Sequence, residues 1–375
     1  MDLSQLVPEL LQGFTHFTLG NAIMLVVGGI LVALAVIKEY EPVLLLPIGF
    51  GCILANIPLT GMETEHGLFG VLYRAGIETE LFPLLIFIGV GAMIDFSPLL
   101  SQPKMVLLGA AGQFGIFGTL ILATLLGFPL NQAATIGVIG AIDGPTSIFV
   151  ATILAPEILA PIAVAAYSYM SLIPIIQPPI MKLMTTKKER LIRMEYAPRP
   201  VSRKALVLFP IVSTLLIGLL VPAATPLISM LMLGNLLRES RVVERLNQAA
   251  QNEIINIATL FLGLTIGSTM GAASFLNWQT IGILVLGLLA FVLDTVAGLA
   301  FGKLMSALSR GSINPLIGAA GISAFPMAGR LAARIAQEED FENFILMHAM
   351  GANTAGQLGS VMAGGVLLSL VTGLM

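Results

Sequence analysis

Charge is what this chain lacks most. Only 10% of its 375 residues are Asp, Glu, Lys or Arg, and 57% are hydrophobic. A soluble globular domain carries about 25% charged residues. The deficit is concentrated: Pro42–Met62, Met105–Ile142, Ile158–Met181, Ala205–Leu237, Ile254–Leu293 and Asn343–Met375 hold no charge. Soluble cores alternate with polar faces and these stretches do not, which excludes a large soluble domain. Cysteine is nearly absent. Cys52 stands alone in an apolar run, cannot close an internal disulfide, and reads as a packed core residue. A basic excess is absent too. The net charge of −3 leaves nothing to neutralise phosphates, so nucleic acid is excluded as a partner. Met1-Asp2-Leu3-Ser4 offers no basic n-region. Met1–Phe17 therefore does not read as a cleaved signal peptide, and a first span at about Thr18–Ile37 is expected to be retained.

What remains is helix for a lipid solvent. A spanning helix needs about 20 apolar residues, and several of these runs hold two spans or a span plus a re-entrant piece. The expectation is an all-α polytopic membrane protein of roughly ten to twelve membrane segments. Lys182–Lys204 carries Lys182, Lys187, Lys188, Arg190, Arg193, Arg199, Arg203 and Lys204 against Glu189 and Glu195. Short basic loops stay in the cytoplasm, which places this one inside. Ala205–Leu237 then reads as an out-and-back pair turning near Val221-Pro222, followed by a charged surface helix at Arg238–Glu253. Glu63–Glu80, which is acidic, fits the outer side.

Two stretches follow a similar order, giving a division into residues 1–83, 84–182, 183–253 and 254–375. The second and fourth parts each hold a Gly-rich helix (Ile88–Met93; Leu264–Gly271), a long span, and a polar break before proline. The breaks are Asp143-Gly144-Pro145 and Asn314-Pro315, 171 positions apart. Paired interruptions in two halves are the sequence mark of inverted repeats with broken or re-entrant helices.

Proline frees backbone carbonyls, and hydrocarbon offers them no partner. A sodium ion does, because a hard cation takes oxygen ligands. Asp143 supplies a charge, Asn314 and Asn353 amide oxygens, and Thr146, Ser147, Ser323 and Thr354 hydroxyls. A carboxylate at membrane depth costs roughly 2.5–3.5 kcal/mol unless paired or wet. When the cation leaves, a proton is the alternative neutraliser, which gives a route to sodium–proton exchange at Asp143. Asp294 is either a second cation ligand or an acid of the bundle interior. Asp95, near a helix end, reads as a cap. His348 is a proton carrier or a satisfied imidazole. Tyr167 and Tyr169 are packing aromatics or, beside Ser168 and Ser171, part of a wet surface. Arg330 either snorkels to the interface or binds an anionic substrate.

Four segments in order give the chain a relationship. They are Gly140–Thr146, Ala166–Met181, Asn314–Ser323 and Met347–Asn353. Over nearly its whole length the chain resembles the β subunits of biotin-dependent, sodium-pumping decarboxylases, which act on oxaloacetate, methylmalonyl-CoA or glutaconyl-CoA. The resemblance implies that Asp143 is the essential intramembrane acid and Tyr169 the tyrosine of the proton path. It implies that Asn314, Gly318, Ser323 and Arg330 form the second cluster, with Asn353 near the ion path. Sodium would bind at Asp143, Asn314, Gly318, Ser323 and Asn353, and Arg330 would meet the carboxylate of carboxybiotin. The implied partners are a biotin carrier subunit, a carboxyltransferase α subunit, a small membrane anchor subunit and further copies of this chain, in a bacterial cell membrane. The shorter chain leans toward the CoA-ester decarboxylases. Without the resemblance, the broken helices fit a secondary sodium–proton antiporter equally well, and a membrane anchor with no site of its own less well.

Overall fold

The computed structural model describes residues 11–195 and 200–374, with only the backbone described at Ser171, Ala273 and Ser274. Met1–Ser4 and Arg199 lie outside the described residues. Every regular element described is helical.

The chain opens with α1 (Leu19–Ile37), started by a Thr18–Asn21 capping box. Then come α2 (Pro42–Ala55) and α3 (Leu81–Met93), the latter reached through a 59° bend from Leu68–Glu78. A helical stretch from Pro103, tightened near Gly112-Gln113, leads into α4 (Phe114–Leu125). Next are α5 (Leu130–Val138), α6 (Gly144–Leu154) and α7 (Leu159–Met184), the last bent within a stretch holding Pro174, Pro178 and Pro179. The second half holds α8 (Arg203–Leu220), α9 (Thr225–Ser240), α10 (Ile255–Ser268) and α11 (Trp278–Leu308). After a 3-10 segment, Pro315–Gly321, come α12 (Met327–Glu339) and α13 (Leu346–Leu374). Among the described residues six helical stretches are long and apolar enough to cross a membrane, and the two bent pairs raise this to eight. The chain is a multi-pass membrane protein.

The turn expected near Val221-Pro222 is present as a 3-10 turn, Pro222–Ala224, between α8 and α9. The surface helix expected at Arg238–Glu253 is not. Arg241 adopts left-handed backbone (φ +56°) and ends α9, and the segment from Glu244 runs without interruption into α10. A charged stretch looks interfacial in sequence, but here its second half is the first turns of a crossing helix. Asp95 lies one residue before the N-cap Phe96 of the short helix Ser97–Ser101, and its carboxylate accepts from the Ser97 N–H at 2.8 Å. Cys52 is buried, its thiol directed at the Met24 carbonyl.

In space the helices form two groups that cut across the sequence division. α1, α2, α3, α8, α9 and α10 pack mainly on one another, and α4–α7 with α11–α13 make the second group. The Gly-rich helices α3 and α10 thus belong to the first group, and the breaks to the second.

The basic loop is not a free cationic patch. Lys182 pairs with Glu338 (2.9 Å), Arg190 with Glu339 (2.7 Å), and Arg193 with Asp340 (2.6 Å). Lys303 on α11 reaches Glu189 at 3.3 Å. The end of α12 therefore latches the loop to the second group. Hydrogen bonds from Arg190 and Arg193 hold the carboxyls of Glu339 and Asp340 below the usual carboxylate range. Depressed carboxyls stabilise the latch fully above that range, and the contribution is lost as pH falls through their lowered values. Exposed pairs contribute little singly, about 0–1 kcal/mol, so the half-buried Arg190–Glu339 pair is the informative one to remove. Glu339→Gln is expected to speed tryptic cleavage at Lys187 and Lys188 severalfold at neutral pH. An unchanged cleavage rate would show that the latch does not hold the loop.

Candidate ion site

Each break belongs to a helical hairpin, the first forming the tip of its hairpin and the second the base of the other, and the hairpins enter from opposite faces. The first comprises α5 and α6. Its two ends are tied together by the Asn131 amide, which donates to the Leu154 carbonyl at 2.9 Å. At its tip a 3-10 turn, Ile139–Ala141, gives way to left-handed Ile142 (φ +52°) and extended Asp143, and Gly144-Pro145 then starts α6. Proline suits this position because the N–H it lacks would be unsatisfied there anyway.

The second hairpin comprises the 3-10 segment and α12, with Ile322–Ala324 at its tip. Its two ends meet on the basic loop. The amides of Asn314 and Asn343 both donate to the carbonyls of Arg190 and Ile192, at 2.9–3.2 Å. The two tips cross. The Ser323 N–H donates to the Ala141 carbonyl at 3.3 Å, and the Ser323 hydroxyl donates to the same oxygen.

This geometry separates residues that the sequence pattern had joined. Asn314 lies at the open, loop-side end of the second hairpin. Its amide donates to the loop, and its oxygen accepts from the Leu316 N–H at 3.0 Å. The element opposite Asp143 is Ser323, nine positions further along the chain. Gly318 allows the 3-10 segment to lie against α11; a Cβ there would sit 2.0 Å from the Gly298 carbonyl oxygen. Asn353 on α13 holds the second tip, donating to the Ile322 carbonyl at 2.7 Å. Its own oxygen is buried without a hydrogen-bond partner. Of the five residues expected to bind sodium, the structure brings Asp143 and Ser323 to one cavity.

Asp143 is 6% exposed. Its Oδ2 accepts from Thr146 Oγ1 at 2.7 Å, Gln357 Nε2 at 2.8 Å and Ser360 Oγ at 3.1 Å. Gln357 and Ser360, both from α13, were missed in the sequence. The available signal was the spacing Asn353, Gln357, Ser360 (i, i+4, i+7), which puts three polar groups on one face of a mostly apolar helix. The cavity beside Asp143 has a volume of about 360 Å³. It lies between the two helix groups and reaches the rim at Glu41, Met93 and Gln251. These residues adjoin the end of α1, the end of α3 and the start of α10. The Met93 carbonyl accepts from Arg238 at 2.7 Å. The positive-inside rule puts that rim in the cytoplasm.

The tyrosines divide. Tyr167 lines the cavity, its ring pressed on Gly144. Tyr169 faces away, and its hydroxyl donates to the Leu284 carbonyl of α11. Arg330 is exposed on the first turn of α12, three residues from cavity-lining Met327, and has no ion pair among the described residues. Asp294, fully buried, accepts from the Gly115 N–H where α4 begins, and its second oxygen lies against Gly140. His348 lines a separate polar cavity with Lys104 and Arg193.

Two broken hairpins crossing at a buried carboxylate, in a bundle built for lipid, define a membrane protein of the ion-translocating class. Comparison with known proteins gives the particular family. Residues 20–371 match the family model described as the sodium-transporting oxaloacetate decarboxylase beta subunit. The chain is 54% identical to the glutaconyl-CoA decarboxylase subunit beta of Acidaminococcus fermentans over 362 residues, which is 96% of each chain. It is 54% identical to the methylmalonyl-CoA decarboxylase subunit beta of Veillonella parvula, again over 96% of each. To the oxaloacetate decarboxylase beta chain of Klebsiella pneumoniae it is 47% identical, over 96% of this chain and 97% of that one. The chain belongs to this family of sodium-transporting decarboxylase β subunits.

Close packing at the first tip can be tested. A Cβ on Gly144 would stand 2.1–2.6 Å from the Tyr167 ring and hydroxyl. Overpacking of this kind costs about 1–3 kcal/mol. Gly144→Ala is expected to lower the thermal midpoint of the detergent-solubilised subunit, and an unchanged midpoint would mean the ring does not rest there.

Proposed function

We propose that the chain decarboxylates N-carboxybiotin presented by a separate biotin carrier subunit, and couples that step to sodium export at Asp143. The observation that carries the proposal is the Asp143 carboxylate. It is buried where the two tips cross, held by three neutral side-chain donors with no Lys, Arg or His paired to it among the described residues, and adjoins a cavity reaching the cytoplasmic rim. A single charge surrounded by neutral oxygens suits a hard monovalent cation, which is the cargo. Asp143 and Ser323 border the cavity and are the ligands it best offers. Asn353, with its spare amide oxygen, is held one residue from Ser323 by its bond to Ile322.

In the decarboxylation the N–CO2 bond of carboxybiotin breaks, the electron pair stays on the ureido nitrogen, and that nitrogen takes a proton. Asp143 is the residue that holds either the sodium ion or the proton. Arg330, a cation near the cavity with no ion pair among the described residues, receives the carboxylate of carboxybiotin. The roles of Asn314 and Gly318 are architectural in this account. They set the base and the path of the hairpin that carries Ser323. Tyr169 acts on the proton path only through α11, to which its hydroxyl is bound.

Moving one charge against 100 mV costs about 2.3 kcal/mol, so loss of CO2 must be tied to ion exit. The carrier, a carboxyltransferase α subunit, a small membrane anchor and further β copies complete the proposed complex. The relatives' names favour a CoA ester as the acid consumed, since 54% identity links the chain to two such β subunits. A plain sodium–proton antiporter would use the same tips, but family membership favours the decarboxylase.

Asp143→Asn in the purified complex is expected to abolish both sodium uptake into proteoliposomes and sodium-dependent CO2 release. Full sodium-stimulated release in that variant would remove Asp143 from the mechanism. Tyr169→Phe is expected to reduce turnover at least tenfold, and normal turnover would detach it from the proton path.

A further inference from the structure

The cavity beside Asp143 has a second acid that the mechanism above does not use. Glu41 sits between α1 and α2, at the N-cap of α2, in left-handed backbone (φ +36°). An N-cap acid ordinarily turns its carboxylate onto the free N–H groups of its own helix. Glu41 does not; its side chain makes no capping bond, and only its carbonyl serves the helix, accepting from the Leu44 and Leu45 N–H groups at 3.0 Å. Its carboxylate has no ion pair and no hydrogen bond among the described residues, and it lines the cavity whose inner wall is Asp143. The φ value is one that non-glycine side chains seldom adopt.

The rest of the lining completes the picture. Tyr167, Gln251, Asn256 and Thr259 contribute hydroxyl or amide groups, and among the described residues no Lys, Arg or His lines the cavity. A cleft with two acids, several neutral oxygens and no base concentrates cations and repels anions. It therefore does not draw in the anionic head of carboxybiotin. We propose that this cavity is the cytoplasmic access path for sodium to Asp143, and that Glu41 is its cation-selecting inlet residue. The inference rests on the reading of Asp143 as the ion site. Glu41 raises the local sodium concentration and lowers the barrier to desolvation on the way in, while the carboxylate of carboxybiotin is met at Arg330, which does not line the cavity. The polar residues of α10, Gln251, Asn256 and Thr259, supply the wall along which the ion passes.

The test uses the purified complex, with sodium ion itself as the probe, and measures CO2 release against sodium concentration. In Glu41→Gln the sodium concentration for half-maximal release is expected to rise on the order of five- to tenfold, with the maximal rate at saturating sodium unchanged. Glu41→Asp, which keeps the charge, is expected to restore most of the affinity. A residue needed only for folding would lower the yield or the maximal rate and leave the half-saturation where it was. Unchanged half-saturation in Glu41→Gln, or loss of maximal rate alone, overturns the inlet assignment. The two readings fail differently: if the unmodified complex shows no sodium dependence at all, the Asp143 ion site is wrong, whatever Glu41 does.

Discussion

Hydrocarbon contains no hydrogen-bond partner for an opened backbone, so a break at the centre of a membrane has to be satisfied by protein or by an ion. The two hairpin tips answer this by crossing. The carbonyl of Ala141, freed where α5 ends, takes both the N–H and the hydroxyl of Ser323. The amide of Asn353 takes up the Ile322 carbonyl. What this leaves over is the Asp143 carboxylate. Three neutral side-chain donors share one of its oxygens, and its charge has no ion pair among the described residues. On the proposed function, the site is organised around an unmet requirement of the crossing, a positive charge, which either sodium or a proton would supply.

The two hairpins do unequal work. The first carries the charge; the second carries Ser323 at its tip and Arg330 on the helix that leaves it. The base of the second hairpin is fixed to the basic loop through Asn314 and Asn343, and the far end of α12 through Arg190 and Glu339. The tip opposite Asp143 is therefore mechanically continuous with the cytoplasmic loop. The proposed carrier, docking near Arg330, would act on the same hairpin that meets Asp143 through Ser323. In the proposal, the polar cavity would give sodium a route that does not compete with the carrier's anionic head.

Much of this was legible in the residues. The charge-free runs dictate membrane helices, the loop cations dictate orientation, and Pro222 marks a turn. Asp143 declares itself because a carboxylate at depth needs a purpose. Asn314-Pro315 misled for a physical reason. A polar residue before proline begins a short helix as readily as it marks a tip, and Asn314 does the former, with its side chain accepting from Leu316. The true second tip at Ser323 has no such signature. Tyr167 and Tyr169 stand two places apart on a helix, about 200° around it, so only one can face the ion. Sequence does not say which. Gln357, 214 positions from Asp143, meets it only through the packing of α13. Its polar face could be seen, but not what that face touches.

Sodium and a proton should exclude one another at a single carboxylate. The most direct measurement is binding of radioactive sodium to the purified, unmodified β subunit across a range of pH, without substrate or turnover. The account predicts that the sodium concentration for half-occupancy rises as pH falls, while the number of sites at saturating sodium stays constant. Sodium binding that is independent of pH would contradict exchange at Asp143.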